Sequence, residues 1–280
     1  MKTTLLFLSV FLSASLFGQT FGTGVYDIDG NYYQTVVVEN EFLQPKEWMT
    51  SNLKVTRYSD GTELAALNGI QISGNEPGWT YYNGDASYND DYGKFYNERA
   101  AMGATSGGLI SKNICPNGWH VALEDDWDEL IYIFGNQYTA AGPLKSIELW
   151  TEPNTGGTNS SNFSALPGGK INSGSSSQIG SFGYWWQGFE PSSGGMGLWY
   201  RKMSFNNTEV YDQWHTGHLT AASIRCVNNN PPVGIIELPN STKSLIHILD
   251  LMGRETSFKP NTPLIYVYDD GSIEKVFTIE

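Results

Sequence analysis

Apolar residues recur along this chain with two different periods. Between 124 and 135 they fall at Trp127, Leu130, Ile131 and Phe134. The spacing i, i+3, i+4, i+7 predicts one face of an amphipathic helix. Glu124, Asp125 and Asp126 fill its first turn, where carboxylates favour the positive end of the helix dipole, and Gly135 supplies a stop. Elsewhere the apolar stretches are short and rich in Val, Ile, Tyr and Trp, which predicts strands. Residues 26–28 and 31–40 flank Asp29 and Gly30 and read as a hairpin. Strands are also expected at 198–205, 221–227, 244–253 with a turn at Met252 and Gly253, and 264–280 with a turn at Asp270 and Gly271, and a short helix over 96–102. The intervening stretches, 56–100 and 150–210, are dense in Gly, Asn, Ser and aromatic residues, which suits tight turns with aromatic anchors.

The first residues set the compartment. Lys2 precedes the apolar run LLFLSVFLSASLF and then small and polar residues, the layout of a secretory signal removed near Gly18 or Gln19. The run is short for a membrane span and nothing later reaches about 18 consecutive apolar residues, so no transmembrane segment is expected. About 260 residues remain, enough for one large domain and something small. The polar, proline-containing stretch NNNPPVG marks the boundary. The expected organisation is a signal peptide at 1–19, a main domain at 20–228, a linker at 229–240 and a small β tail at 241–280.

The net charge of −13 leaves no basic patch to displace counterions from phosphates, which argues against nucleic acid. The two cysteines, Cys115 and Cys226, in a chain bound for an oxidising compartment, read as one disulfide. Their spacing is not that of a zinc site.

Several side chains invite a chemical reading and have a bland one beside it. Asp27, Asp29 and Gly30 superficially resemble a calcium loop but lack its third acid and its late glutamate; a turn explains them. His120 as a base would need a partner within hydrogen-bond reach; a packed corner beside Trp119 explains it equally well. His215 and His218 lack a third ligand of evident spacing. No residue is singled out as catalytic and none as a metal ligand. Trp185, Trp186, Trp199 and the tyrosines of 81–96 could form a stacking platform for sugar rings, although core packing is the commoner fate of tryptophan.

The blocks DIDGNYYQTV, WMTSNLKVTRYSDGT, CPNGWHVALEDDWDEL, AGPLKS, NFSALPGGK, GYWW and SIRCV follow one another over roughly residues 25–228. In order and spacing they resemble the Fibrobacter succinogenes major paralogous domain, a family of exported bacterial proteins. The resemblance implies an α+β, C-type lectin-like fold, loop-rich with few helices, followed here by a small all-β domain. It implies no known activity. Where the family has Pro-Thr before the acidic helix this chain has Ala122 and Leu123, which removes a capping oxygen at a cost of about 1 kcal/mol. Where the family has Trp-Trp-Ser-Ser, this chain has Trp185, Trp186, Gln187 and Gly188. The tail resembles a short type IX secretion sorting domain, which implies that secretion machinery as a partner and an address outside the cell or on the outer-membrane surface.

Glu152, Pro153 and Asn154 form a triplet that sugar-binding C-type lectins use to hold calcium and sugar hydroxyls. The lectins' second triplet, Trp-Asn-Asp before a late cysteine, is missing, so no cofactor is assigned and calcium stays a possibility only through Glu152 and Asn154. The functional expectation is a secreted or surface binding module, non-catalytic, with polysaccharide or cell-envelope components as partners. The alternatives are an enzyme related to the formylglycine-generating type, which needs two close free cysteines, or a carbohydrate-active hydrolase.

Overall fold

The structure is a computed structural model. It describes residues 20–40, 42–67, 76–105, 110–188, 199–214, 219–231, 245–250, 252–259, 261–269 and 273–276. The expected signal segment, the turn at Asp270 and Gly271, the pair His215 and His218, and most of the expected linker lie outside the described residues.

The chain divides into two compact units, Met1–Pro231 and Pro232–Glu280. In the first, five antiparallel strands form one sheet in the order Thr20–Phe21, Thr35–Asn40, Leu43–Met49, Cys226–Asn228, His120–Val121. A second sheet holds six short strands in the order Ser175–Ser177, Lys170–Asn172, Thr220–Ala222, Phe95–Asn97, Gly78–Thr80, Ala65–Ala66. A third is the antiparallel ladder Phe182–Trp186, Trp199–Ser204, Val210–Trp214. The second unit is a three-stranded antiparallel sheet of Leu245–Leu249, Leu264–Tyr268 and Ile273–Val276.

The expected α+β class is corrected by this architecture. Among the described residues, strands take 37% and helices 13%. The helix predicted from the 3.6-residue period is present as Glu124–Ile133, and the other α-helices have four residues each. The physical reason lies in the composition of the loop-rich stretches. Glycine and asparagine turns interrupt every helical run, while β-branched and aromatic residues gain most from cross-strand packing. The turn at Asp29 and Gly30 forms as expected. Asp27 accepts the N–H groups of Asp29 and Asn31, and its other oxygen accepts the Tyr33 hydroxyl at 2.7 Å. Asp27 is thus saturated by the turn itself.

The core is aromatic and has three foci. Tyr33, Tyr96, Trp119, Tyr184, Trp186 and Tyr200 gather around the Cys115–Cys226 disulfide. Trp48, Trp127 and Phe163 meet edge to face at 5.2–5.6 Å between centroids, with Trp185 against Trp127 at 6.2 Å. The third focus joins Tyr82, Tyr92, Phe95 and Ile171. The disulfide closes residues separated by 111 positions; in the chain-entropy picture such a loop contributes about 4–5 kcal/mol.

Beside Cys226, the fully buried Arg225 has no carboxylate partner. Its guanidinium donates to Asn52 Oδ1 (2.8 Å), to the carbonyls of Met49 (2.9 Å) and Phe163 (2.6 Å), and to that of Ser164 (2.8 Å). It lies over the Phe163 ring at 4.5 Å. Burial pulls its pKa down to about 9. A buried cation is tolerated because the donors of the fork are matched by four acceptors from two separate segments, 49–52 and 163–164. Arg225→Met keeps the volume but takes the guanidinium donors from three carbonyls, those of Met49, Phe163 and Ser164, while Asn52 Oδ1 keeps the Trp185 indole N–H. The expected loss is roughly 3–5 kcal/mol, read as a lower urea midpoint with unchanged slope.

Candidate functional site

Among the described residues a concavity of about 850 Å³ lies between the acidic helix and the outer strand of the third sheet. The helix contributes Asp128, Ile131 and Tyr132, and Gly135 follows on the same stripe at i, i+3, i+4, i+7. The connecting loop brings Asn136, Gln137 and Tyr138; the sheet brings Arg201, Val210, Tyr211 and Asp212, with Glu209 just before the strand.

Three hydrogen bonds fix the two walls together. Val210 N–H donates to Gln137 O (2.8 Å), Ala141 N–H to Thr208 O (3.1 Å), and the Thr208 hydroxyl to Tyr138 O (2.7 Å). Lys145 braces the turn that leads into this strand. Its buried ammonium donates to the carbonyls of Thr155, Ser204 and Asn207 at 2.9, 3.0 and 2.9 Å, and burial lowers its pKa to about 8.

Arg201, only 3% exposed, spans two acids: Nη2 to Asp128 Oδ1 and Nη1 to Asp212 Oδ1, both 2.8 Å. Its Nε–H is buried without a hydrogen-bond partner. Asp212 is held above the usual carboxylate range, first by burial, then by the negative charges of Asp128 and Glu124, with Arg201 opposing. Tyr132 and Tyr138 each expose 61% of their surface, an unusual amount for large rings beside a cleft. Directly opposed residues of antiparallel strands share a face. The pair Arg201 and Asp212 therefore continues into Trp199 and Trp214, opposed in the same ladder. These two rings meet edge to face at 5.1 Å and remain 40% and 39% exposed.

The residues singled out from sequence scatter. Trp199 lies on this accessible face. Trp185 and Trp186 do not: both are fully buried, their indole N–H groups donating to Asn52 Oδ1 and Tyr96 O. They cannot stack on a ligand, because successive residues of this strand face two different cores. Among the tyrosines of 81–96, Tyr82, Tyr92 and Tyr96 are also buried. Glu152 is exposed in a turn, but the Asn154 amide is directed inward, donating to Ser146 O at 3.0 Å. Among the described residues no three His, Cys, Asp or Glu side chains gather as metal ligands would. Cys115 and Cys226 are joined to each other, so the free thiol pair that the formylglycine-type alternative requires is not available.

His120 does find a carboxylate, Asp126, at 2.8 Å. Asp126 is occupied on every side: its other oxygen takes Lys46 Nζ at 2.7 Å, and it accepts Leu123 N–H at 2.8 Å. That last bond is the reciprocal half of a capping box, and it offsets part of the missing oxygen at Leu123. The cluster is a clamp between helix and sheet. Burial pushes Asp126 up, but hydrogen bonds from His120, Lys46 and Leu123 outweigh it, and the carboxyl titrates below its ordinary value.

The profile of the Fibrobacter succinogenes major domain matches residues 43–228. The chain belongs to the Fibrobacter succinogenes major domain family. No curated protein matches, and no solved structure does, so the lectin-like part of the fold expectation has no neighbour behind it. The matched segment contains every residue of the cleft. It begins later than the blocks had suggested, yet the Fibrobacter succinogenes major domain here is built on earlier residues: Thr35–Asn40 pairs with Leu43–Met49, and Thr20–Phe21 pairs with Thr35–Asn40.

Because the folded pKa of Asp126 lies below the unfolded one, its stabilisation is complete above about pH 4 and is lost as pH falls through the folded value. Asp126→Asn should cost roughly 1–3 kcal/mol near neutral pH. The gap to the parent should narrow in acid denaturation profiles as pH falls below the ordinary carboxylate value and through the lowered folded one.

Proposed function

We propose that this protein is an exported, non-catalytic binding module whose ligand is a glycan held in the cleft between the acidic helix and the Val210–Trp214 strand. The observation that carries the reading is the pair of exposed rings, Tyr132 and Tyr138, beside a fixed concavity lined by amide and carboxylate groups. Flat aromatic faces take the apolar face of a sugar ring, and the amides of Asn136 and Gln137 offer both donors and acceptors to hydroxyls. A groove of this volume suits an oligosaccharide segment. Trp199 and Trp214 extend the same face beyond the cleft.

The export part of the proposal rests on the N-terminal apolar run behind Lys2 and on the disulfide. Among the described residues no helix is long and apolar enough to cross a membrane. The second unit supplies a sorting element in this reading. Its turn is closed by Asp250, which accepts the N–H groups of Met252 and Arg254 and pairs with the Arg254 guanidinium at 2.9 Å.

The test is a polysaccharide and oligosaccharide binding screen with the parent, Tyr132→Ala, Tyr138→Ala and, as a control ring elsewhere, Tyr26→Ala. Each cleft variant should weaken binding about 5- to 50-fold and Tyr26→Ala should leave it unchanged. Binding indifferent to both cleft variants contradicts the site. Release of reducing ends from a bound polysaccharide contradicts the non-catalytic role.

A further inference from the structure

The charge balance of the cleft points to a narrower ligand class. Asp128, Glu209 and Asp212 line it, and Arg201 is the one basic side chain among its lining residues. That arginine is buried and its two terminal nitrogens are already engaged by Asp128 and Asp212. The site therefore has no cation left for an anionic ligand and carries uncompensated carboxylate charge. Asp128 and Asp212 are still about half exposed, 58% and 45%, so each keeps oxygen lone pairs facing outward. A carboxylate accepts several hydrogen bonds, and one pairing with Arg201 does not exhaust it. Tyr132 and Tyr138 line the same cleft as these acids, whereas the Tyr211 ring already holds Lys202 Nζ at 5.0 Å from its centroid. Aromatic faces and carboxylates together are the surroundings that stabilise an organic ammonium group.

We infer that the cleft selects glycans bearing free amino groups, the amine seated between Asp128 and Asp212 and the ring against Tyr132 or Tyr138. The inference rests on the glycan reading above. It excludes uronate-rich and sulfated chains, which would place anions against Asp128, Glu209 and Asp212.

Four hexasaccharide probes of matched length decide it, titrated calorimetrically against the full chain: deacetylated chitohexaose, N-acetylated chitohexaose, cellohexaose and hexagalacturonate. The amine probe should bind about tenfold tighter than the two neutral ones, the gain expected of two partly exposed ion pairs, and the uronate should not bind. Asp212→Asn should erase the amine preference, bringing the amine and neutral affinities together. Asp90→Asn, which removes the same charge on the surface away from the cleft, should change neither. Equal affinity for amine and neutral probes overturns the amine selection and leaves the glycan reading standing. Preference for amine in Asp212→Asn, or its loss in Asp90→Asn, shows diffuse attraction to an acidic protein and overturns the site. Failure of all four probes, with oligolysine bound at Asp212, overturns the glycan reading; failure of oligolysine as well overturns both.

Discussion

The fold depends on one unbalanced charge. Arg225 is fully buried in the first unit with no carboxylate among its hydrogen-bond partners, and the backbone of two distant segments must come to it. Met49 ends one strand of the five-stranded sheet, Phe163 and Ser164 belong to a loop, and Asn52 couples Arg225 to Trp185 through a shared oxygen. Immediately next in sequence, Cys226 fixes the same point covalently to Cys115. A loop-rich chain with few regular elements needs such a node, because its backbone polar groups have few ladders to satisfy them. The guanidinium offers more donors in a fixed fork than any other side chain.

Lys145 repeats the device where the cleft is made. Three carbonyls surround its ammonium, and one of them belongs to Asn207 in the turn before Glu209 and Val210. The interior thus satisfies two of its buried cations with carbonyls and leaves most carboxylates for the surface. The cleft inherits this division. Its single arginine is shared between two acids, and the remaining negative charge faces outward together with exposed tyrosines. What holds the walls in place and what gives the site its chemical preference are consequences of the same distribution of charge.

The parts legible in the sequence were those with a strong local signal. The spacing of Trp127, Leu130, Ile131 and Phe134 and the acidic first turn define Glu124–Ile133 closely, and the Asp29–Gly30 turn announces its hairpin. Strands such as Lys170–Asn172 and Ser175–Ser177 were not legible, since serine and asparagine carry no alternating pattern and pairing alone defines them. The family blocks led to an α+β expectation, but four-residue helices contribute too little to sustain it. Trp185 and Trp186 misled for a related reason. A strand buried on both faces loses its period of two, so neighbouring tryptophans look alike whether they face a core or solvent. Tyr132 sits four residues after Asp128, a visible stripe on the polar side of the helix. The partner of Asp128, Arg201, comes from a strand 73 residues away, and no local pattern announces that meeting.

The central claim is that the cleft between the acidic helix and the edge strand is where this protein meets its ligand. Hydrogen exchange with mass-spectrometric readout, on the full chain with and without saturating deacetylated chitooligosaccharide, addresses it without any substitution. The account predicts slowed exchange confined to residues 132–138 and 209–214, with the segment around Arg225 already protected in both states. Protection centred instead on residues 81–96 or on the C-terminal unit, or no change at saturation, would contradict it.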